Sequence, residues 1–299
     1  MPKISKINHS IVYLQSLLFF HKYVLNLTKL YYDINIFFVQ KSNKGGEMAN
    51  TVVIALTGKG GVGKTSLCAA IVRVLTEEKK DSKILAIDAD PAVGLLISLG
   101  AKSSYTLDQI RKSVADDVTG KLRDTQDILA EAKFKIMDAI EEQNGFAFLA
   151  IGRPEAAGCY CAINAYLKKV IEMVANDFDY VVIDGEAGIE QINRRVLEKV
   201  THLICVSDQS RKGLDIIGTI KNVADELVMY DEIGLIVNRA PLPEKVTEKE
   251  IGGVRVISVI PQDDDMTEND IEGKNIFELP EGSTILEGTR AALKNLNII

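Results

Sequence analysis

The run GKGGVGKT at residues 58–65 decides how the rest of the chain is interpreted. It matches the pattern G-x-x-x-x-G-K-[ST], in which a glycine-rich loop holds phosphate oxygens with its backbone N–H groups. The apolar, β-branched stretch Thr51–Thr57 before it predicts a buried strand, and the spacing of apolar residues over 66–78 predicts a helix. Glycines are needed between the two because the backbone must approach the phosphates closely. The sequence therefore predicts a nucleoside triphosphate site between a strand and a helix.

The same loop also fits a second pattern. Three of its glycines match the dinucleotide-binding fingerprint G-x-G-x-x-G, with Asp88 as the ribose-binding acid. The Lys64-Thr65 pair has no role in that alternative, whereas in a triphosphate site Lys64 reaches the β- and γ-phosphates and the Thr65 hydroxyl ligates Mg²⁺. The predicted ATP contacts in this segment are Gly58, Lys59, Gly60, Gly61, Val62, Gly63, Lys64, Thr65 and Ser66.

Lys59 narrows the class of protein. The pattern KGGVGKT resembles the deviant phosphate loop of the MinD/ParA/nitrogenase-iron-protein group of dimeric ATPases. The resemblance implies that Lys59 crosses a dimer interface and touches the nucleotide of the other subunit. A cation delivered in this way stabilises transition-state charge only after two subunits close. We therefore expect a homodimer in which Lys59 and Lys64 are catalytic.

Two parts of the 299-residue chain differ in composition. Residues 1–47 hold eight of the eighteen Tyr and Phe residues, and six lysines against one Asp and one Glu. Because the whole chain carries −7, residues 48–299 carry −11. A body this acidic argues against nonspecific nucleic-acid binding, which depends on basic surface. The apolar run Ser10–Phe20 is too short to span a bilayer, which needs about 20 residues.

The segment before Met48 predicts a start site. Residues 44–48 (KGGEM) can be encoded by a purine-rich ribosome-binding site followed by a start codon. We expect residues 1–47 to be a mistranslated leader and residues 48–299 to form a single ATPase domain. ATP chemistry predicts a cytoplasmic protein, in which Cys68 and Cys205 are core thiols and not disulfide partners.

From Met48 onward, strand patterns alternate with helical patterns. Strands are predicted at 51–57, 83–88, 146–151, 180–184, 202–207, 233–238 and 254–260. Helices are predicted at 65–78, 107–111, 115–121, 126–142, 161–176, 189–199, 212–229 and 283–296. This alternation predicts an α/β fold with a doubly wound, mostly parallel sheet and helices on both faces. Ligands of such folds bind at the carboxyl ends of the strands.

Three carboxylates follow predicted strands. The stretch KILAIDADP ends in Asp88 and Asp90, and YVVIDGEAG delivers Asp184. The resemblance to the dimeric ATPases implies that Asp90 orients the attacking water and that Asp88 supports the Mg²⁺ shell. It also implies that Asp184 is the Walker B acid beside Mg²⁺, and that residues 91–98 and 186–188 are switch regions.

The base is predicted from two further stretches. IVNRAP at 236–241 lacks the acid that guanine readers place after their Asn, so ATP is favoured over GTP. Its Asn resembles the adenine-contacting Asn of the family, and IPQD at 260–263 resembles the loop that closes over the base. The predicted contacts are Asn238, Arg239, Pro261, Gln262 and Asp263.

Cys159 and Cys161 form a Cys-x-Cys pair within IGRPEAAGCYCAIN. Two thiolates ligate one soft cation but leave a tetrahedral metal half-coordinated. With the leader set aside, His202 is the remaining histidine and it opens a predicted strand, so imidazole does not easily complete the shell. The pair therefore predicts a metal held by two thiolates from each of two subunits across a twofold axis.

At this point the resemblance becomes specific. GRPE…GCYC…N followed by DGEAGIE…NRR is similar to the CooC-type ATPases that mature carbon monoxide dehydrogenase, and the match covers essentially residues 51–297. The resemblance implies Ni²⁺ or Zn²⁺ at Cys159 and Cys161. It also implies a homodimer promoted by ATP and metal, with a nickel–iron–sulfur client that is carbon monoxide dehydrogenase or acetyl-CoA synthase.

Two other functions stay open on the sequence. An electron-transfer ATPase like the nitrogenase iron protein would hold a [4Fe–4S] cluster at Cys159, but residues 185–201 contain no cysteine where that family places its second ligand. A MinD/ParA-like positioning ATPase that binds membranes needs a basic amphipathic C-terminal helix, and Ala291–Ile299 has a single lysine. We therefore expect neither nucleic acid nor a membrane as a stable partner.

Overall fold

The structure is a computed structural model. It describes residues 51–90, 92, 94–110, 112, 131, 134–152, 168, 170–185, 197 and 199–299. Four predictions lie outside these residues, namely the leader at 1–47, the helix at 115–121, the metal site at Cys159 and Cys161, and the second switch at 186–188. None of the described helices is long and apolar enough to cross a membrane.

The described strands form one sheet. They are β1 (Val52–Gly58), β2 (Ile84–Asp88), β3 (Glu141–Glu142), β4 (Ala147–Ala150), β5 (Tyr180–Asp184), β6 (Lys199–Ser207), β7 (Met229–Ala240), β8 (Glu250–Ile251) and β9 (Val254–Pro261). Their order is β3-β4-β2-β5-β1-β6-β7-β9-β8. All pairs are parallel except those of the short outer strands β3 and β8. The predicted fold class is therefore confirmed.

Helices flank this sheet. Those with fully described bounds are α1 (Lys64–Glu78), α2 (Gly94–Leu99), α3 (Arg211–Asp215), α4 (Ile217–Leu227), α5 (Asp264–Glu272) and α6 (Thr284–Asn295). Residues 107–110, 134–139 and 170–175 are also helical. The described part of the chain also contains two 3₁₀ turns, Pro243–Lys245 and Ile276–Glu278.

The central strand β1 shows why the sequence alternates as it does. Parallel sheets are covered on both faces, so their strands are apolar throughout. Ile54 and Leu56 are buried in one core cluster together with Leu67 of α1, while Ala55 is buried in a second cluster with Val181 of β5. The chain leaves β1 towards β2 on one side, and β6 continues the sheet on the other. This reversal opens a crevice at the carboxyl ends of the strands.

Three predicted helix ends are wrong because strands form there through tertiary pairing. The helix predicted at 126–142 stops earlier, since Glu141 and Glu142 pair with β4. The helix predicted at 189–199 overlaps β6, whose first residue Lys199 pairs with Met229. The same pairing ends the helix predicted at 212–229, which is divided into α3 and α4 with Ile216 between them.

The helices α2 and α5 were not predicted. The first lies in the stretch expected to be a switch, and the second in the acidic run DDMTENDIE. In α5, Asp263 accepts a hydrogen bond from the Met266 N–H, and Gly273 ends the helix in the left-handed conformation. An Asp before the helix and a Gly after it are helix signals that the sequence does contain.

Candidate functional site

The phosphate loop joins β1 to α1 and depends on glycine at two positions. Gly58 has φ 146°, and a Cβ there would lie 2.1 Å from the carbonyl oxygen of Val206 in β6. Gly63 has φ 89°, and a Cβ there would lie 2.6 Å from Nδ2 of Asn238 in β7. Side chains are excluded at both positions because the neighbouring strands approach the loop so closely.

The start of α1 is open to an anion. Its N-cap residue Gly63 supplies no side-chain hydrogen bond, and its first turn contains no acidic residue. The free N–H groups and the helix dipole therefore favour a phosphate at this end. Lys64 is buried there, and its Nζ donates to the carbonyl oxygens of Gly58 and Lys59 at 3.2 Å. Thr65 and Ser66 are half-buried in the same turn.

The tip of the loop differs from its base. Lys59, Gly60 and Gly61 are exposed, while Val62 is buried in the core beside α1. The Lys59 side chain therefore lies at the surface, in contrast to the buried Lys64. Lys64 is therefore held inside the loop of its own chain, whereas the side chain of Lys59 faces solvent.

Two carboxylates lie beside the loop at the ends of adjacent strands. Asp88 and Asp184 are aligned in the register of β2 and β5, and both are buried. Neither carboxylate oxygen of Asp184 has a hydrogen-bond partner among the described residues. Burial raises the pKa of Asp184 to about 6, although the nearby Thr65 hydroxyl and Lys64 lower it. A buried, unpartnered carboxylate is costly, and a bound cation would supply the missing partner.

Asp88 differs from Asp184 because backbone N–H groups already occupy its oxygens. Its Oδ1 accepts from the Asp90 N–H at 3.1 Å, and its Oδ2 accepts from the N–H groups of Leu95 at 2.9 Å and Leu96 at 3.4 Å. Burial, followed by the charge of Asp184, raises the pKa of Asp88 to about 7. Asp88 therefore fixes the start of α2 against the site.

The residues present fit the predicted magnesium site. Asp184 offers two free oxygens, Thr65 offers a hydroxyl close to that carboxylate, and Asp88 lies next to them. Carboxylates and hydroxyls are the oxygen ligands that Mg²⁺ prefers in proteins. Asp90 is half-buried at the same edge, and its Oδ1 accepts from the Ala92 N–H at 2.8 Å. All four predicted residues thus lie on the carboxyl side of β2, β5 and the phosphate loop.

A cavity of about 440 Å³ opens on the other side of the loop. It is lined by Ser66, Asn238, Arg239, Pro261, Gln262, Asp263, Met266, Thr267, Asp270, Ile271 and Ile285. The five residues predicted to contact adenine are therefore brought together around one cavity, next to the start of α1. Four further lining residues lie on α5, which was not predicted, and one, Ile285, lies on the predicted helix α6 but was not selected as a contact.

The contacts of the predicted base residues differ. Asn238 is buried, and its Nδ2 donates to the Val62 carbonyl oxygen at 2.9 Å. Arg239 has φ 52°, which is unusual for a residue other than glycine, and its Nη1 donates to the Gly61 carbonyl oxygen at 3.4 Å. Asp263 uses its two carboxylate oxygens for the N–H groups of Met266 and Ile285, at 2.9 and 2.8 Å. Asp263 therefore shapes the cavity by holding α5 and α6.

The predicted Cys-x-Cys metal site cannot be located, because Cys159 and Cys161 lie outside the described residues. Within the described residues, no group of three or more His, Cys, Asp or Glu side chains is arranged to hold a metal ion. The other two cysteines are buried thiols. Burial raises the pKa of Cys68 well above its usual value and raises the pKa of Cys205 to about 12.

A phosphate loop, a pair of buried acids and a cavity lined by the residues predicted to contact the base, all at the carboxyl edge of a parallel sheet, define a P-loop nucleotide-binding protein. Residues 53–276 match the CobQ/CobB/MinD/ParA nucleotide binding domain, so the chain belongs to this family of ATP-binding proteins.

Similar proteins place the chain within that family. It is 34% identical over 245 residues to an uncharacterized ATP-binding protein of Methanocaldococcus jannaschii, with 78% of this chain and 94% of the relative covered. It is 31% identical over 213 residues to the carbon monoxide dehydrogenase accessory protein CooC of Rhodospirillum rubrum, with 62% and 79% covered. Its fold is similar to the septum site-determining protein MinD of Pyrococcus horikoshii in complex with Mg-ADP, with TM-score 0.58, 20% identity, and 83% and 96% covered.

Proposed function

We propose that this protein hydrolyses ATP as a metal-bound homodimer and supports nickel insertion into carbon monoxide dehydrogenase. The observation that carries the proposal is the 31% identity to the accessory protein CooC in a chain that has the pair Cys159 and Cys161. The nucleotide site supports the ATP-dependent part, and the chemistry of the four cysteines supports the metal-dependent part.

In the ATP-dependent part, water attacks the γ-phosphorus and the bond to the β–γ bridging oxygen breaks, giving ADP and phosphate. Lys64 neutralises charge on the β- and γ-phosphates, and Asp90 orients the attacking water. Mg²⁺, when bound, supplies positive charge at the phosphate oxygens, and it would be held by Thr65 and Asp184 with Asp88 beside them. These roles are those that the resemblance implies, and the burial of Lys64, Asp88 and Asp184 around the start of α1 supports them.

The exposed position of Lys59 supports a dimer. A lysine that lies at the protein surface next to its own phosphate loop is free to reach a nucleotide in a second subunit. Positive charge that arrives only on closure makes hydrolysis depend on dimer geometry. The proposed dimer therefore couples the state of the nucleotide to the separation of the two chains.

The metal-dependent part rests on thiolate chemistry. Metals bind the thiolate form of cysteine, and the raised pKa values of Cys68 and Cys205 disfavour that form. This leaves Cys159 and Cys161 as the thiols available to Ni²⁺ or Zn²⁺. Two such pairs complete a four-sulfur shell, so metal binding and dimer formation would promote each other.

The proposal is tested with nickel-free carbon monoxide dehydrogenase, Ni²⁺ and ATP. The wild-type protein should raise dehydrogenase activity only when ATP is present, and the double variant Cys159→Ala, Cys161→Ala should not. Cys205→Ala is the matched control, because it removes a buried thiol and should activate as the wild type does. Activation by the double variant at the wild-type level would refute the metal assignment, and activation without ATP would refute the ATP-dependent step.

Light scattering and metal titration test the dimer separately. With ATP and Ni²⁺ together the protein should double its mass and bind one Ni²⁺ per two chains, and a monomer under these conditions contradicts the proposal.

A positioning ATPase remains the second function that the family allows. It would instead sediment with liposomes or DNA in the presence of ATP, and iron–sulfur absorbance in anaerobically purified protein would favour the electron-transfer alternative.

A further inference from the structure

One wall of the base cavity is a helix face that carries a carboxylate. Met266, Thr267, Asp270 and Ile271 of α5 line the cavity, and their spacing places them on one side of the helix. The helix is fixed beside this face by Asn269, the i+3 neighbour of Met266, which is buried and donates from Nδ2 to the Asn275 carbonyl oxygen at 3.1 Å. The face that meets the cavity is therefore held in a defined orientation.

Several polar side chains of this cavity are open to a ligand, including Ser66 and Gln262, which make no side-chain hydrogen bond with another described residue, and two of the acidic or amide residues beside them offer an acceptor. Asn238 is only 3% exposed, and because its Nδ2 donates to Val62, its Oδ1 is left as an acceptor without a partner among the described residues. The Asp263 carboxylate is occupied by two backbone N–H groups, and the Thr267 hydroxyl donates to the Asp263 carbonyl oxygen at 2.9 Å. Asp270 has no ion pair or hydrogen bond with another described residue. Its carboxylate is therefore an open acceptor.

The position of Asp270 is unfavourable for the fold. It lies in the last turn of α5, where the helix dipole disfavours negative charge, and α5 has five acidic residues and no basic one. The neighbouring Glu272 is relieved by an ion pair with Lys274, whereas Asp270 has no such partner within the described part of the chain. A charge kept at a position that weakens its own helix is better explained by a ligand than by folding.

We propose that Asp270 is a base-specificity residue, whose carboxylate accepts a hydrogen bond from the exocyclic amino group of a 6-aminopurine nucleotide. The two N–H groups of that amino group match two acceptors, Asp270 and the Oδ1 of Asn238. A purine without the amino group leaves both acceptors without a donor. The inference rests on the proposed ATP site and adds the group that distinguishes adenine there.

The experiment compares ATP with purine riboside 5′-triphosphate, which lacks only the 6-amino group. Dissociation constants for both, measured by calorimetry with Mg²⁺ on the full chain, give the preference of each variant for ATP. Asp270→Ala should reduce that preference about fivefold, as expected for a partly exposed hydrogen bond to a charged group. Glu268→Ala is the matched control, because it removes a charge from the same helix away from the cavity and should leave the preference unchanged.

The variant must also fold. Asp270→Ala should unfold at the wild-type temperature or above it, since it removes an unfavourable charge from the last turn of α5. An unchanged preference for ATP in a folded Asp270→Ala overturns this inference and leaves the proposed function intact. Failure of the wild-type protein to bind either triphosphate overturns the ATP site itself.

Discussion

Replacing Gly63 by alanine tests the geometry of the phosphate loop directly. Gly63 has φ 89°, where an L-residue costs about 1–2 kcal/mol. Its new Cβ would lie 2.6 Å from Nδ2 of Asn238, so the Asn238 side chain must move away from the Val62 carbonyl oxygen to which it now donates at 2.9 Å. Loss of that hydrogen bond adds about 1 kcal/mol. We expect Gly63→Ala to lower the free energy of unfolding by about 2–3 kcal/mol.

Urea unfolding and thermal unfolding measure this change. For a domain of this size, a loss of about 2–3 kcal/mol lowers the melting temperature by about 5–10 °C. ATP affinity should fall as well, because the same displacement alters both the loop and the base cavity. Gly60→Ala is the matched control, since a Cβ at Gly60 meets no atom within 4 Å and its φ is not in the left-handed region. Its free energy of unfolding should stay within about 0.5 kcal/mol of the wild type. Equal stability of the two variants would refute the close approach of β7 to the loop.

Three further predictions concern charge. Asp88 and Asp184 have pKa values of about 7 and about 6 in the folded chain, above the ordinary value of 3.8, so the folded state binds the extra protons and is stabilised as pH falls from about 8 to about 4. Asp184→Asn should therefore be more stable than the nucleotide-free wild type by about 1–3 kcal/mol at pH 8, with the difference closing near pH 4; a gap in urea titrations that is equal at both pH values contradicts this. Arg290→Ala removes ion pairs of 2.6–3.0 Å to three glutamates on α1 and α6. It should lower the free energy of unfolding by about 1–2 kcal/mol, and high salt should reduce this loss. A loss that is independent of salt would point to packing instead. Lys59→Ala should abolish phosphate release while leaving the affinity of a single chain for ATP near the wild-type value, and phosphate release that persists would remove the argument for a lysine acting between subunits.

Much of the fold follows from local sequence, and the exceptions have identifiable physical causes. The bounds of β5 were predicted correctly because parallel strands buried on both faces are continuous apolar runs. The start of β6 was missed by three residues because Lys199 enters the strand only through its pairing with Met229. The helix α5 was missed because its acidic composition resembles a loop, although a capping Asp precedes it. Strand pairing thus sets the start of β6 and helix capping sets the start of α5, and apolar periodicity alone predicts neither.

In the candidate site, too, some residues could be predicted from the sequence and others depend on tertiary structure. The loop residues were predicted because a phosphate loop is contiguous in sequence, and the adenine contacts were predicted from resemblance to the ATPase family; the structure brings the latter together because the carboxyl ends of β7 and β9 meet at one edge of the sheet. Asp270 lies on a helix with no apolar periodicity, so sequence alone offered no reason to select it. The different surroundings of Asp88 and Asp184 also depend on the start of α2, whose N–H groups bind one carboxylate and leave the other free.

The electrostatics of the site explain how an acidic protein can hold a triphosphate. Phosphate charge is met locally by backbone N–H groups, by the dipole of α1 and by Lys64, and these short-range terms exceed the effect of distant surface acids because salt screens the latter. Asp184 is the exception, since it is a buried acid beside the phosphate position with a pKa raised to about 6. Burial makes ionisation of this carboxyl more costly than in water until a cation arrives, and a cation held by Asp184 and Thr65 alone would lack most of the six oxygens that Mg²⁺ requires. The triphosphate and water supply the rest, so in the proposed site Asp184 makes the binding of Mg²⁺ and the binding of ATP favour each other.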